Sequence, residues 1–181
     1  PVVRPRHDEL HVQSLARLRV TPLELAMTDG DFCGVHRRGH VLGQVCLNQI
    51  VVIGCGPIGI GLMKLAQING ARVIALDVNP ERLQYAKEKI GVDAIVNVLE
   101  KPVEQVAELT NGELATAVFD ATGNKRALET GVDYMAHGGR YVLVGLSKGE
   151  LTFTHPAIHA KETTLMCSRN ATFEDFEMVK I

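Results

Sequence analysis

The stretch GCGPIG, residues 54–59, decides how this chain folds. It has the pattern G-x-G-x-x-G, it follows the apolar run QIVVI at residues 49–53, and it precedes apolar residues at helical spacing up to residue 69. A glycine pattern of this kind is common at turns and is informative only where a strand leads directly into a helix. The flanking residues supply that context, so the sequence predicts a strand, a tight turn and a helix in succession.

Each glycine of this turn has its own expected task. Gly54 permits the tight turn, Gly56 leaves the backbone open to a phosphate group, and Gly59 lets the helix pack close to the strand. Pro57 suits the first helical position, where no N–H donor is needed. The free N–H groups and the partial positive charge of the helix N-terminus favour phosphates. The turn therefore predicts a dinucleotide-binding site.

Short apolar runs and helical patterns alternate along the rest of the chain. Further strands are predicted at 71–76, 94–98, 117–119, 140–144 and 162–166, and further helices at 80–89, 103–109 and 125–135. Such alternation is typical of an α/β fold in which helices cover both faces of a parallel sheet. We predict a Rossmann, doubly wound, six-stranded sheet in the order 3-2-1-4-5-6 for residues 47–181, preceded by an irregular N-terminal extension, residues 1–46.

An acidic residue ends the second predicted strand. Asp77 lies 18 positions after Gly59, and a carboxylate there can accept hydrogen bonds from the adenosine ribose and repel a 2′-phosphate. This favours NAD over NADP as the cofactor. Arg82, on the next helix, would reduce the preference for NAD because its positive charge could attract the 2′-phosphate of NADP.

Composition narrows the class of protein further. The formal net charge of −2 favours neither a nucleic acid nor an anionic membrane as a partner. No apolar run approaches the roughly 20 residues that span a bilayer, and the first ten residues lack the pattern of a signal peptide. The four cysteines form no C-x-x-C pair, so a reducing cytoplasm is the expected location. They are Cys33, Cys46, Cys55 and Cys167.

Four stretches resemble the medium-chain dehydrogenase/reductase superfamily, in particular its zinc-containing alcohol and polyol dehydrogenases. They are VVIGCGPIGIG (51–61), FDATG (119–123), GGRYVLVGLS (138–147) and HAKETTLMCSRN (159–170). Pro57 and Ile58 inside the glycine pattern are typical of that branch, and the last stretch resembles threonine and sorbitol dehydrogenases. The resemblance implies an NAD-dependent oxidoreductase that transfers hydride between NAD and a polyol or sugar acid, with this chain supplying mainly the cofactor domain.

The resemblance also implies cofactor contacts beyond the glycine turn. These are Thr122, Gly123, Gly145, Leu146, Ser147 and Arg169. The first two would line the channel between adenosine and nicotinamide, and the next three would lie near the nicotinamide amide. The guanidinium of Arg169 would reach the pyrophosphate, since a planar two-pronged donor suits phosphate oxygens.

Members of this branch hold a catalytic zinc ion, and two alignments of the N-terminal part bear on it. In one, Cys33 and His40 are zinc ligands, although their separation is shorter than usual. In the other, which we favour, Asp29 takes the place of the third ligand and Cys33 lies near the nicotinamide. Asp29, Cys33 and His40 are therefore the candidate ligands, and the favoured alignment gives no complete zinc site in this chain.

Other chemically reactive residues have simpler interpretations. His155 and His159 would share one face of a helix, but Pro156 and the resemblance favour a loop there and argue against a metal pair. Asp120, at the end of a strand, is expected to be structural or close to the ribose. Cys55 is expected to be a small packed residue rather than a nucleophile.

Two alternatives to a complete dehydrogenase stay open at this point. The chain could be a dinucleotide-binding module or truncated product without catalytic activity. It could also be an S-adenosylmethionine-dependent methyltransferase, which the Pro-Ile-Gly ending of the turn and the SRN stretch disfavour. The expected partner is a small alcohol, and the edge of the sixth strand could pair with a second copy in a homodimer or homotetramer.

Overall fold

The computed structural model describes residues 49–170 and Glu177. Its centre is a six-stranded, wholly parallel sheet in the order β3-β2-β1-β4-β5-β6, which confirms the predicted fold class and strand order. The strands are β1 (Gln49–Ile53), β2 (Arg72–Asp77), β3 (Ala94–Asn97), β4 (Ala115–Asp120), β5 (Met135–Leu143) and β6 (Thr164–Cys167).

Helices connect the first five strands in the way the sequence pattern predicts, and a further helix precedes the sixth strand. The α-helices are α1 (Pro57–Ile68), α2 (Pro80–Tyr85), α3 (Pro102–Leu109), α4 (Lys125–Thr130) and α5 (His155–Ala160). A π-helical segment, Ala86–Ile90, continues α2, and a 3₁₀ segment, Gly131–Tyr134, continues α4. None of the described helices is long and apolar enough to cross a bilayer.

The sheet is covered on both faces, and β1 shows why its residues are apolar throughout. Ile50 and Val52 face one hydrophobic cluster, which includes residues of α1 and α2. Val51 and Ile53 face a second cluster, which includes residues of α3 and the 3₁₀ segment. Side chains alternate between the two faces of a strand, so a strand buried on both faces reads as a continuous apolar run.

The structure corrects the sequence prediction in three places. The predicted helix 125–135 ends as an α-helix at Thr130, and the strand predicted at 140–144 begins earlier, at Met135. Between Ala115 and Ala117 of β4 the partner on β5 jumps from Met135 to Arg140, so the Gly138-Gly139 pair lies in a bulge inside the strand. The loop expected around Pro156 is the short helix α5, which tolerates this proline because it occupies the first turn.

Helix α1 approaches the end of β1 closely at Gly59. A Cβ atom added to Gly59 would overlap the carbonyl oxygen of Gly54, so only glycine allows the two segments to pack in this way. Gly61, two residues further along the same helix, has no heavy atom within 4 Å of the place where its Cβ would lie. The two glycines thus occupy the same helix in opposite surroundings.

This contrast predicts opposite effects of the same substitution. Gly59→Ala should lower the free energy of unfolding by about 3 kcal/mol, because backbone must move to accommodate the methyl group. Gly61→Ala should raise it by up to about 1 kcal/mol, because alanine loses less conformational entropy on entering a helix. Urea unfolding followed by circular dichroism measures both, and a Gly59→Ala variant as stable as Gly61→Ala would contradict the close packing.

Candidate functional site

The turn between β1 and α1 has the backbone geometry that its glycines predict. Gly54 adopts a positive φ of 98°, and its N–H donates to the carbonyl of Leu76 on the neighbouring strand at 2.7 Å. Gly56 is the N-cap of α1 in an extended conformation, and Pro57 takes the first helical position. The N–H groups of the first helical turn, which have no acceptor within the helix, are therefore located at this glycine turn.

Gly56 leaves the approach to these N–H groups open. No heavy atom lies within 4 Å of the position that a Cβ of Gly56 would occupy, whereas Gly54 would meet Cγ2 of Thr122 at 3.0 Å. Ile58, on the first turn of α1, exposes 58% of its surface. A phosphate group could thus reach the backbone at Gly56 without displacing protein atoms.

Asp77 is linked to the glycine turn directly. It ends β2, it is 6% exposed, and its Oδ2 accepts a hydrogen bond from the N–H of Cys55 at 2.7 Å. Its Oδ1 accepts from the N–H of Asn79 at 2.8 Å. Asn79 in turn caps α2 by accepting from the N–H groups of Glu81 and Arg82. The carboxylate therefore holds together the turn after β1 and the loop after β2, a connection that the sequence pattern did not reveal.

The sequence predicted that Arg82 weakens the preference for NAD over NADP and that Arg169 contacts the pyrophosphate. Arg82 is an exposed residue in the first turn of α2, and its charge reaches the thiol of Cys55 inside the glycine turn. Arg169 is exposed and follows β6, on the edge of the sheet where the other strands also end. Arg82 thus follows β2, which neighbours β1, whereas Arg169 follows β6, three strands away from β1.

The loops after β4 and β5 pack against each other at their backbones. A Cβ on Gly123, which has a φ of 63°, would lie 2.8 Å from the carbonyl oxygen of Leu146. A Cβ on Gly145 would overlap the N–H of Gly123. Leu146 exposes 91% of its surface beside this contact. The predicted cofactor residues Thr122, Gly123, Gly145 and Leu146, with Ser147 adjoining them, therefore form one continuous surface next to the glycine turn.

Asp120 lies beneath these two loops. Its side chain is fully buried at the end of β4, and Oδ1 accepts both the N–H of Thr122 at 2.8 Å and the hydroxyl of Thr122 at 2.7 Å. Among the described residues, Oδ2 has no hydrogen-bond partner. Burial raises the pKa of this carboxyl above its ordinary value, and hydrogen bonds from Thr122 and from the backbone of Gly123 oppose the rise.

Cys55 has the packed, unreactive surroundings that were expected of it. The residue is buried, and its Sγ lies 3.8 Å from the carbonyl oxygen of Leu76. Burial raises the pKa of the thiol to about 12, with a further contribution from the Asp77 carboxylate and an opposing one from Arg82. A thiol with this pKa is protonated at neutral pH and is a poor nucleophile.

A catalytic zinc ion does not fit the part of the chain that the structure describes. Within residues 49–170 and 177, no three His, Cys, Asp or Glu side chains are placed to hold a metal ion. His155 and His159 do lie on one helix, with ring centroids 5.5 Å apart. The candidate ligands Asp29, Cys33 and His40 lie outside the described residues.

Comparison with known sequences gives a consistent result. A family profile described as zinc-binding dehydrogenase matches residues 57–180. L-galactonate-5-dehydrogenase of Escherichia coli is 43% identical over 131 residues, which are 72% of this chain and 38% of the relative. Sorbitol dehydrogenase of Halalkalibacterium halodurans is 30% identical over 144 residues, which are 76% of this chain and 42% of the relative. The chain thus spans less than half the length of these relatives.

Solved structures show the same likeness. The alcohol dehydrogenase of Aeropyrum pernix superposes with a TM-score of 0.66 at 28% identity, over 73% of this chain and 38% of that one. The alcohol dehydrogenase TADH from Thermus sp. ATN1 superposes with a TM-score of 0.64 at 30% identity, over 68% of this chain and 36% of that one.

The raised pKa of Cys55 predicts protection from alkylation. At about pH 8, iodoacetamide should modify Cys55 about a thousandfold more slowly in the native chain than in urea, since only the thiolate reacts and unfolding restores an ordinary pKa. Peptide mapping by mass spectrometry measures both rates. Equal labelling of Cys55 in the two states would show that the glycine turn is open in solution.

Proposed function

Since this chain belongs to the zinc-binding dehydrogenase family, in its zinc-type medium-chain alcohol dehydrogenase branch, we propose that its Rossmann domain binds NAD. We propose further that the protein oxidises a small alcohol by hydride transfer to NAD, or catalyses the reverse reduction. The chain supplies the cofactor-binding part of this fold. Family membership argues against the methyltransferase alternative, although a glycine turn and a following acid occur there too.

The observation that carries the proposal is the arrangement around Gly56. The N-terminus of α1, the open space at Gly56 and the buried carboxylate of Asp77 lie together at the carboxyl edge of the sheet. In open parallel sheets, ligands bind in the crevice at this edge, at the switch point where the strand order reverses. Here the switch point lies at β1, which has β2 on one side and β4 on the other.

Each group of this edge has a proposed task in holding NAD. The N-terminus of α1 binds the pyrophosphate, and Asp77 accepts hydrogen bonds from the adenosine ribose through the lone pairs that Cys55 and Asn79 leave free. The surface formed by Thr122, Gly123 and Gly145 receives the nicotinamide end. When bound, NAD supplies the hydride acceptor of the reaction.

The charge at the end of β2 favours NAD over NADP. A 2′-phosphate would meet the Asp77 carboxylate, which is buried and therefore poorly screened by water. Arg82 is exposed, so its attraction for a phosphate is screened more strongly. We infer that repulsion from Asp77 outweighs attraction to Arg82.

We propose a polyol or a sugar acid as the substrate. The names of the relatives support this class, since they include an L-galactonate dehydrogenase and a sorbitol dehydrogenase. The described residues offer no donor set for zinc. We propose that the groups that polarise the alcohol lie outside residues 49–170 and 177. The described domain therefore binds and orients the cofactor.

The NAD site is tested by titration with NADH, followed by the fluorescence of the bound nicotinamide. Asp77→Asn keeps the size of the side chain and removes its charge, and it should weaken NADH binding about tenfold, since hydrogen bonds to a charged acceptor are lost. The unsubstituted chain should bind NADPH more weakly than NADH, and Asp77→Asn should reduce that difference.

Asp93→Asn is the matched control. Asp93 also accepts a backbone hydrogen bond, from Val73 at 2.7 Å, but it lies where β2 and β3 begin, at the opposite edge of the sheet. This variant should bind NADH like the unsubstituted chain. Failure to bind either dinucleotide, or equal weakening in both variants, would overturn the proposed site.

The edge strand β6 supports association with a second copy. Leu165 of β6 exposes 44% of its surface and lines a groove of about 590 Å³ together with Phe153 and Ile158 of the preceding segment. An exposed apolar edge strand is a template for pairing with another strand. We propose that two copies pair through β6 about a two-fold axis, which joins identical surfaces.

A charge on this edge should therefore separate the copies. Leu165→Asp is expected to convert a dimer to a monomer in sedimentation velocity at micromolar concentration, because pairing would bury the carboxylate. Leu99→Asp is the control, since Leu99 is 74% exposed and follows β3 at the far edge of the sheet. A monomeric unsubstituted chain would contradict the proposed pairing.

A further inference from the structure

We propose that Asp120 is a positioning residue that holds the loops after β4 and β5 in the shape that receives the nicotinamide end of NAD. This assignment rests on the proposed NAD-binding function. It concerns a residue that is buried beneath the site and that reaches the cofactor only through its neighbours.

The side chain of Asp120 organises the loop after β4. Its Oδ1 accepts two hydrogen bonds from Thr122, one from the N–H and one from the hydroxyl. The same hydroxyl oxygen accepts from the N–H of Asn124 at 3.0 Å, and Asn124 caps α4 by accepting from the N–H of Ala127 at 3.2 Å. A continuous chain of hydrogen bonds therefore runs from the buried carboxylate to the start of α4.

The main chain of Asp120 organises the loop after β5. Its carbonyl accepts from the N–H of Val144 at 2.9 Å and from the N–H of Gly145 at 2.7 Å. Gly145 packs on the backbone of Gly123, so a shift in either loop displaces the other. Asp120 thus holds both loops, through its carboxylate on one side and its carbonyl on the other.

An amide could not replace this carboxylate without loss. The carboxylate is the stronger acceptor for two donors, and its second oxygen is buried without a hydrogen-bond partner among the described residues. In an Asp120→Asn variant, an NH₂ group would take that second position and leave donors buried and unpaired, or the amide would turn and lose Thr122. The loop after β4 should then be held less firmly.

The test compares two ligands that differ only at the nicotinamide end. Isothermal titration calorimetry of the chain with NAD and with ADP-ribose separates contacts to nicotinamide from contacts to the rest. Asp120→Asn should weaken NAD binding about tenfold and change ADP-ribose binding by less than about twofold. Asp93→Asn, the same substitution at the opposite edge of the sheet, should leave the ratio of the two affinities unchanged.

A second pair of variants keeps the test decisive if Asp120→Asn fails to fold. Thr122→Val removes the hydroxyl donor at nearly constant shape and should lower the same affinity ratio, whereas Thr122→Ser retains the hydroxyl and should restore it. If the variants weaken the binding of NAD and of ADP-ribose equally, or if Thr122→Val leaves the ratio of the two affinities unchanged, the proposed role of Asp120 is wrong. The proposed NAD site would not be affected by that result. No binding of either ligand to the unsubstituted chain would overturn the proposed NAD site and this assignment with it.

Discussion

The close contact between Gly59 and the carbonyl of Gly54 is the constraint on which the rest of the domain depends. It lets α1 begin after the short turn that follows β1 and pack closely against the end of that strand. Because β1 is central, the helix covers one face while the chain returns to form β2, and the later strands extend the sheet on the other side. The N-terminus of α1 is thereby left at the carboxyl edge, between the ends of β2 and β4.

Two buried aspartates end the strands on either side of β1 and serve a similar structural purpose. Asp77 on β2 accepts the N–H of Cys55 in the glycine turn, and Asp120 on β4 accepts the N–H and hydroxyl of Thr122. A buried carboxylate that accepts hydrogen bonds from N–H or hydroxyl groups is a strong anchor for a loop. Loops are generally more mobile than the strands and helices that they connect. These two aspartates hold in place the loops that surround the proposed cofactor crevice.

The positions of the side chains show what the described part of the chain is suited to hold. The described residues concentrate backbone N–H groups, glycines and two carboxylates at one edge, a set suited to a dinucleotide. They do not include three ligands placed for a metal ion. The chain spans less than half the length of its relatives L-galactonate-5-dehydrogenase and sorbitol dehydrogenase, and the part that it shares with them is the cofactor-binding part of the fold.

The sequence by itself determined the order of strands and helices, the parallel sheet and the position of the glycine turn. These depend on local signals, namely apolar periodicity, glycines that permit positive φ, and prolines at helix starts. Only the tertiary structure decided that Asp77 binds Cys55, 22 residues away, and that β5 carries a bulge before Arg140. Such features depend on the register and approach of segments distant in the chain, which no local pattern encodes.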